Sequence, residues 1–138
     1  MAKDLKAVIR LHEWEVDEKR RKLGELLRLS ESLEDQAQRL EEELVREQQT
    51  AKESPEEAGL LYGNYAEAVI DRRRRIAESI TKTEEEIDDS REILREAYLE
   101  LKKFEVAQEN RDKRAALELA RKDQAFLDEV GSQSFRSR

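Results

Sequence analysis

The sequence predicts an all-α protein, an antiparallel two-helix coiled-coil hairpin in which helix two is longer than helix one. First, a composition of 44% charged, 5% aromatic and 37% hydrophobic residues is typical of long helices, not of a thick globular core. Second, apolar residues follow a heptad repeat on both sides of Pro55, the single proline of the chain. Third, that proline would break a helix interior, so it separates the two helices.

Helix one is predicted over about residues 4–53. Alternating steps of four and three residues from Leu5 reach fourteen positions, of which ten are apolar. A strict seven-residue repeat puts these side chains on one stripe that packs against a partner helix. The stripe consists of Leu5, Ile9, His12, Val16, Lys19, Leu23, Leu26, Ser30, Leu33, Ala37, Leu40, Leu44, Glu47 and Ala51.

The turn is predicted over about residues 54–60. Ser54 can cap a helix, Pro55 suits its first turn, and Glu57 has the spacing of a capping box. Helix two is predicted over about residues 57–130, and ten of thirteen positions on its stripe are apolar. These positions are Tyr62, Ala66, Val69, Arg73, Ile76, Ile80, Thr83, Ile87, Ser90, Leu94, Ala97, Leu101 and Phe104.

Beyond Phe104 the heptad repeat weakens and then resumes at Ala115, Leu119, Phe126 and Val130. Gly131 is a helix-stopping residue in front of a Ser-rich segment. Residues 1–130 are therefore predicted to form a single hairpin and residues 131–138 a flexible tail. Helix two outruns helix one by about 25 residues, and we expect this overhang to bind a partner through Leu119, Phe126 and Leu127.

Two seam registers, one heptad apart, fit an antiparallel hairpin. A short turn brings seven apolar pairs together: Leu5–Phe104, Ile9–Leu101, Val16–Leu94, Leu23–Ile87, Leu33–Ile76, Leu40–Val69 and Leu44–Ala66. A longer turn keeps about five: Val16–Leu101, Leu23–Leu94, Ala37–Ile80, Leu40–Ile76 and Ala51–Ala66. The number of apolar pairs favours the first register.

Residues that could carry chemistry are few. The chain has no cysteine, and its one histidine, His12, falls on the seam, where it is interpreted as a packing residue and not as a metal ligand or catalytic group. The clusters Glu41–Glu43 and Glu84–Glu86 lack the spacing of a calcium loop and are interpreted as solvated helix faces. We expect no enzyme activity, no metal and no cofactor.

Two features leave alternatives open. The residues from Arg72 to Arg75 form a collar around helix two, which is either a solvated, salt-bridged face near Asp71 and Glu78 or a docking site for an acidic partner. Trp14 lies off the seam, where it either packs on the flank of the hairpin or marks a protein-binding spot.

Net charge and hydropathy narrow the functional class. A net charge of −7 argues against a general nucleic-acid binder, which needs a surplus of basic residues to neutralise phosphates. From the charged opening of the sequence we expect no signal peptide, and the sequence lacks the run of about 20 apolar residues that spans a bilayer. We expect a soluble, intracellular protein.

Three segments carry a resemblance to a known family. They are the opening Leu5-x-x-Val8-Ile9-Arg10-Leu11 with the charged residues 13–21 after it, the pair Tyr62-x-x-Tyr65, and residues 118–129 with the late aromatic Phe126. On these segments the sequence resembles the flagellar export protein FliJ family, and the similar soluble stalk proteins of type III secretion, over nearly the whole chain.

The resemblance implies a non-enzymatic, stalk-like component of a flagellar (type III) protein export apparatus. Such a protein binds the pore of the hexameric export ATPase and links it to the membrane-embedded export gate and to export chaperones. The residues implied for ATPase binding are Leu5, Ile9, Leu11, Trp14, Leu119, Phe126 and Leu127. Those implied for the export gate are Ala68, Arg72, Arg75 and Ser79, where the family pattern includes larger apolar residues and this chain has two arginines.

The same resemblance implies a monomer when free, no nucleic-acid partner, and a cytoplasmic location that is peripheral to the cytoplasmic membrane only through partners. Two other interpretations stay open. One is a structural scaffold coiled coil that oligomerises through the helix-two overhang. The other is binding of nucleic acid or anionic membrane through the arginine run and the tail, which predicts strong salt dependence.

Overall fold

The structure is a computed structural model that describes residues 4–53 and 55–136, with side chains at 4–53 and 63–136. Two helices account for all of these residues except Asp4 and Leu5: α1, Lys6–Glu53 (48 residues), and α2, Pro55–Arg136 (82 residues). The described ranges contain no strand. The predicted all-α hairpin with a longer second helix is confirmed.

Both helices begin where the sequence supplies a suitable first turn. Asp4 Oδ1 accepts a hydrogen bond from the Lys6 backbone N–H at 3.1 Å, which satisfies one of the free donors at the start of α1. α2 begins at Pro55, where the missing N–H removes no helical hydrogen bond. The predicted cap Ser54 lies outside the described residues, and so does the side chain of Glu57.

Two predicted boundaries differ from the observed helices. α2 already begins at Pro55, within the turn predicted over residues 54–60. α2 also continues through Gly131 to Arg136, where the sequence predicts a stop. Gly131 has no positive φ, and a helical glycine costs about 1 kcal/mol without ending the helix. Residues 137 and 138 lie outside the described residues, and the flexibility of the tail stays a prediction.

The chain divides into two compact units. The terminal unit comprises Met1–Val16 and Glu96–Arg138, and the central unit comprises Asp17–Arg95. In the terminal unit the Leu5 backbone N–H donates to Gln108 Oε1 at 2.9 Å, and the His12 ring stacks on Phe104. Rising residue numbers on α1 meet falling numbers on α2, so the two helices are antiparallel in this unit.

The helices of the central unit are also antiparallel. Leu26 of α1 and Ser90 of α2 line one groove, and Leu40 and Ile76 line a cavity further along. The groove and the cavity both open along the seam between the two helices.

The apolar core is this seam. Every buried apolar side chain of the described residues falls on a predicted stripe: Val16, Leu26, Leu40, Val69, Ile87 and Leu101. The stripe of α2 also buries Thr83 and Ser90, and the Thr83 hydroxyl donates to the Ser79 carbonyl at 2.7 Å. The heptad pattern therefore predicts the buried positions, polar ones included.

The observed contacts select the five-pair register, which a longer turn gives. The His12 and Phe104 rings are 4.7 Å apart between centroids and inclined at 19°, whereas the seven-pair register puts Leu5 opposite Phe104. Leu40 shares its cavity with Ile76, its partner in the five-pair register. The seven-pair register, favoured on apolar pairs alone, is therefore wrong for this structure. The observed register also contains polar contacts between the helices, and a count of apolar pairs does not include them.

Replacing Gly24 with alanine is expected to stabilise the protein. Gly24 is helical, and an added Cβ would meet the Arg28 Nη1 atom at 3.8 Å, an ordinary contact. Alanine loses less backbone entropy than glycine in a helix, so urea unfolding of Gly24→Ala should show a gain of about 1 kcal/mol. Gly131→Ala, among exposed residues near the end of α2, is the control and should gain less. A loss of stability in Gly24→Ala would contradict the described packing.

Candidate partner-binding surfaces

The residues that the resemblance implies for ATPase binding all belong to the terminal unit, but they differ in exposure. Leu5 and Ile9 are half-buried on the seam. The remaining residues are exposed, Trp14 at 60% and Phe126 at 67% among them, together with Leu11, Leu119 and Leu127. The surface available to a partner therefore excludes most of Leu5 and Ile9.

The distal segment, residues 109–136 of α2, is exposed at every residue. Gln108, just before it, still contacts α1 through the backbone of Leu5. The large apolar side chains of the segment are Leu117, Leu119, Phe126, Leu127, Val130 and Phe135. Several large apolar side chains left exposed along one segment make it a candidate interaction site.

The apolar side chains of the distal segment lie on two sides of the helix. Leu119 and Phe126 are seven residues apart and continue the seam stripe of α2. Leu117 and Phe135 are separated by five full helical turns, so they share a face, and that face lies away from the seam stripe. A partner on one side of the segment would leave the other apolar side in water.

The residues that the resemblance implies for the export gate share one face of α2 in the central unit. Their spacing of four, three and four residues is that of a helical face, and all are exposed: Ala68, Arg72, Arg75 and Ser79. Arg72 Nη1 lies 3.8 Å from Glu43 Oε2 on α1, and Arg75 Nη2 lies 2.7 Å from Asp71 Oδ2. The charges of this face are therefore compensated by neighbouring carboxylates.

The other two residues of the arginine run also have carboxylate partners. Arg73 donates through Nε and Nη2 to the two carboxylate oxygens of Glu41 on α1, each at 2.5 Å. The hydrogen-bonded Glu41 carboxylate raises the pKa of the Arg73 guanidinium. Arg74 Nη2 lies 2.9 Å from Asp71 Oδ1 and its Nε lies 4.0 Å from Glu78. All four arginines of the collar are therefore salt-bridged, and an acidic partner would have to displace these carboxylates.

Tyr65 adds a titratable group beside Glu43. Burial raises the pKa of the Tyr65 phenol, and the negative charge of Glu43 and a hydrogen bond to its carboxylate raise it further. Glu43 is thus shared between a phenol and the Arg72 guanidinium, at the edge of the face that includes Ala68 and Arg75.

His12 has the packing role that the sequence predicts. It is half-buried against Phe104, and its Nδ1 atom lies 3.4 Å from Glu15 Oε2 on the same helix. Across the described parts of the chain, no group of three or more His, Asp or Glu residues is arranged to hold a metal ion. Neither helix, as far as it is described, includes a stretch apolar and long enough to cross a bilayer.

A protein-family model described as "Flagellar FliJ protein" matches residues 1–138. The chain belongs to the flagellar FliJ family. No curated protein and no solved structure gives a significant match. Family membership makes the protein a component of flagellar protein export, in a family whose members are non-catalytic.

Two surface features of this FliJ-family protein were missed by sequence reasoning. The first is the Arg73–Glu41 pair between the helices. The sequence feature that could have predicted it is the arginine at a stripe position. The second is the exposure of Val45 and Ile70, each 64% accessible, one helical turn from Glu41 and Arg73 respectively. These two residues lie off both stripes, and nothing in the heptad pattern marks them.

The Tyr65 phenol is expected to make stability depend on alkaline pH. Its folded-state pKa is raised, so its contribution to stability is present below the ordinary value of 10.0 and is lost as pH rises through the folded pKa. Tyr65→Phe should therefore reduce the loss of unfolding free energy between about pH 8 and about pH 11, measured by urea unfolding.

Glu43→Gln should act in the same direction, because it removes the charge that raises the Tyr65 pKa. An unchanged pH dependence in Tyr65→Phe would contradict the described environment of this phenol.

Proposed function

We propose that this FliJ-family protein is a non-enzymatic stalk that binds the pore of the hexameric export ATPase and links it to the export gate and to substrate chaperones. The observation that carries the proposal is the distal segment, which is exposed throughout and apolar on two sides. The wall of a ring pore surrounds a helix, so it can cover both sides, whereas a partner on one face cannot.

The ATPase surface then consists of Leu11 and Trp14 on α1 with Leu119, Phe126 and Leu127 on α2. Leu11 and Trp14 are three residues apart and therefore lie on neighbouring positions of one helix face. Leu5 and Ile9 have a different role in the proposal. They are half-buried, and they fasten the first turns of α1 to α2, with the Leu5–Gln108 hydrogen bond beside them.

The gate surface is the face with Ala68, Arg72, Arg75 and Ser79. Its arginines are exposed and salt-bridged, so a gate protein would bind it through polar contacts around a small apolar centre at Ala68. Through these partners the protein is peripheral to the cytoplasmic membrane, and it is a monomer when free.

The second candidate function is a structural scaffold that oligomerises through the distal segment. It is favoured by the continuation of the seam stripe at Leu119 and Phe126, which a second coiled-coil strand could cover. Sedimentation at micromolar concentration separates the two functions. A monomer is expected from the stalk, and a stable dimer or tetramer would support the scaffold.

Binding to the ATPase is expected to depend on the distal segment. The double variant Phe126→Ala/Leu127→Ala and a chain truncated after Arg114 should both capture far less of the cognate hexameric ATPase in a pull-down than the full chain. Loss of large apolar contacts at an interface centre commonly costs 2 kcal/mol or more, roughly thirty-fold in affinity.

The matched control for this pull-down is Val45→Ala/Ile70→Ala, which truncates two equally exposed apolar residues in the central unit. The control should bind like the full chain. Equal capture by the truncated chain and the full chain would refute the proposed role of the distal segment.

Binding to the export gate is expected to depend on one face of the arginine collar. Arg72→Glu/Arg75→Glu should weaken binding of the export-gate protein, because both side chains lie on the gate face. Arg74→Glu is the matched control, since Arg74 is on another side of α2 and is likewise salt-bridged. Titration calorimetry measures both, and equal losses in the two variants would argue against a specific gate face.

A further inference from the structure

We propose that the seam of the central unit has a second stable register, one heptad from the observed one, so that α2 can slide along α1 by about 10 Å. In the observed register Leu40 lies beside Ile76. In the second register, which is the seven-pair register of the sequence analysis, Leu40 packs on Val69, and Ile76 packs on Leu33. The inference does not depend on the proposed function, because it concerns the two helices alone.

The observed register packs the seam incompletely. A cavity of about 280 Å³ opens between Leu40 and Ile76, where Ala37 and Ala77 are too small to fill it. A second opening, of about 510 Å³, lies where Ser90 is buried beside Leu26. Both are open grooves along the seam, so the side chains at their edges have packing partners on one side only. The observed register therefore leaves possible contacts unmade along both grooves.

The second register also places apolar residues of the two stripes opposite one another in the same unit. It brings together Leu23–Ile87, Leu33–Ile76, Leu40–Val69 and Leu44–Ala66. It also moves Ser90 from Leu26 to Lys19, one heptad earlier on α1, so a polar residue meets a polar residue. Because both stripes repeat every seven residues, a slide of one heptad keeps each stripe facing the other helix, whereas steps of one or two residues do not.

The strongest polar contact between the helices can re-form after the slide. Arg73 now binds Glu41, and the residue one heptad earlier on α1 is Glu34, another carboxylate. Arg72 differs, because the residue one heptad before its partner Glu43 is Gln36, which has no charge. Both pairs are exposed, so each makes a small contribution. The slide would thus release Arg72 while keeping Arg73 paired.

The terminal unit, taken by itself, accommodates the same step. Phe104 now stacks on His12, and one heptad earlier on α1 it would meet Leu5. Leu101 would meet Ile9. Two registers of similar free energy form a two-state element, and a partner that prefers one of them shifts the population toward it.

Engineered cysteine pairs can report each register, because the natural sequence has no cysteine. Leu40→Cys/Ile76→Cys reports the observed register and Leu40→Cys/Val69→Cys the second one. Leu40→Cys/Thr83→Cys is the control, because it would report a register one heptad from the observed one in the opposite direction. A disulfide needs Cα atoms within about 7 Å, and a heptad spans about 10 Å, so no pair reports two registers.

The measurement is the fraction of intramolecular disulfide in the dilute full-length chain, equilibrated in a glutathione redox buffer. We expect the 40–76 and 40–69 pairs to form disulfides and the 40–83 pair to form at least about ten-fold less. The proposal is overturned if 40–69 forms no more than 40–83. Equal, high yields for 40–69 and 40–83 would also overturn it, because they would indicate separation of the helices and not sliding.

Two charge variants with opposite expected effects on the disulfide yield test the same proposal. In the Leu40→Cys/Val69→Cys chain, Glu41→Gln should raise the disulfide yield about two-fold and Glu34→Gln should lower it about two-fold. Changes in the same direction, or no change in either, would overturn the sliding mechanism. Far-UV circular dichroism checks the fold, and Leu33→Cys/Ile76→Cys reports the second register if the first pair fails to fold.

Discussion

Each helix of this protein packs against one other helix, and that constraint governs the rest of the described structure. A single stripe of side chains per helix provides the apolar packing, from Val16 to Leu101. In a globular core, a buried residue has neighbours from several elements. Here the seam has one layer, so small residues such as Ala37 and Ala77 leave openings that no third element fills. Polar contacts of modest strength can then decide how the helices align.

Much of the fold could be predicted because heptad periodicity is a direct consequence of two-helix packing. The stripes identify the buried positions, including polar Thr83, and the single proline locates the division between α1 and α2. The register could not be predicted by counting apolar pairs. It depends on contacts such as Arg73–Glu41 and the stacking of His12 on Phe104, which join residues of different chemical type and are left out when apolar pairs are counted.

The surfaces were predictable to a lesser degree. An apolar residue beyond the end of the partner helix, such as Phe126, is exposed by necessity, so the distal segment followed from helix lengths alone. The exposure of Val45 and Ile70 had no such cause, because both lie off the stripes of paired helices. The residues proposed for the export gate were predicted only from resemblance. The salt bridges of their arginines with Glu43 and Asp71 could not be predicted, because they depend on which charges the folded helices bring together.

The distal segment has a further property that bears on the kinetics of association. Its apolar residues are accompanied by equal numbers of opposite charges, six basic and six acidic between Glu109 and Arg136. A balanced helix exerts little force on a charged molecule beyond the Debye length, about 8 Å in physiological salt. In the proposed function, capture of a partner by this segment would then proceed without electrostatic steering, at the rates of about 10⁵–10⁶ M⁻¹s⁻¹ typical of neutral surfaces, and would change little with ionic strength.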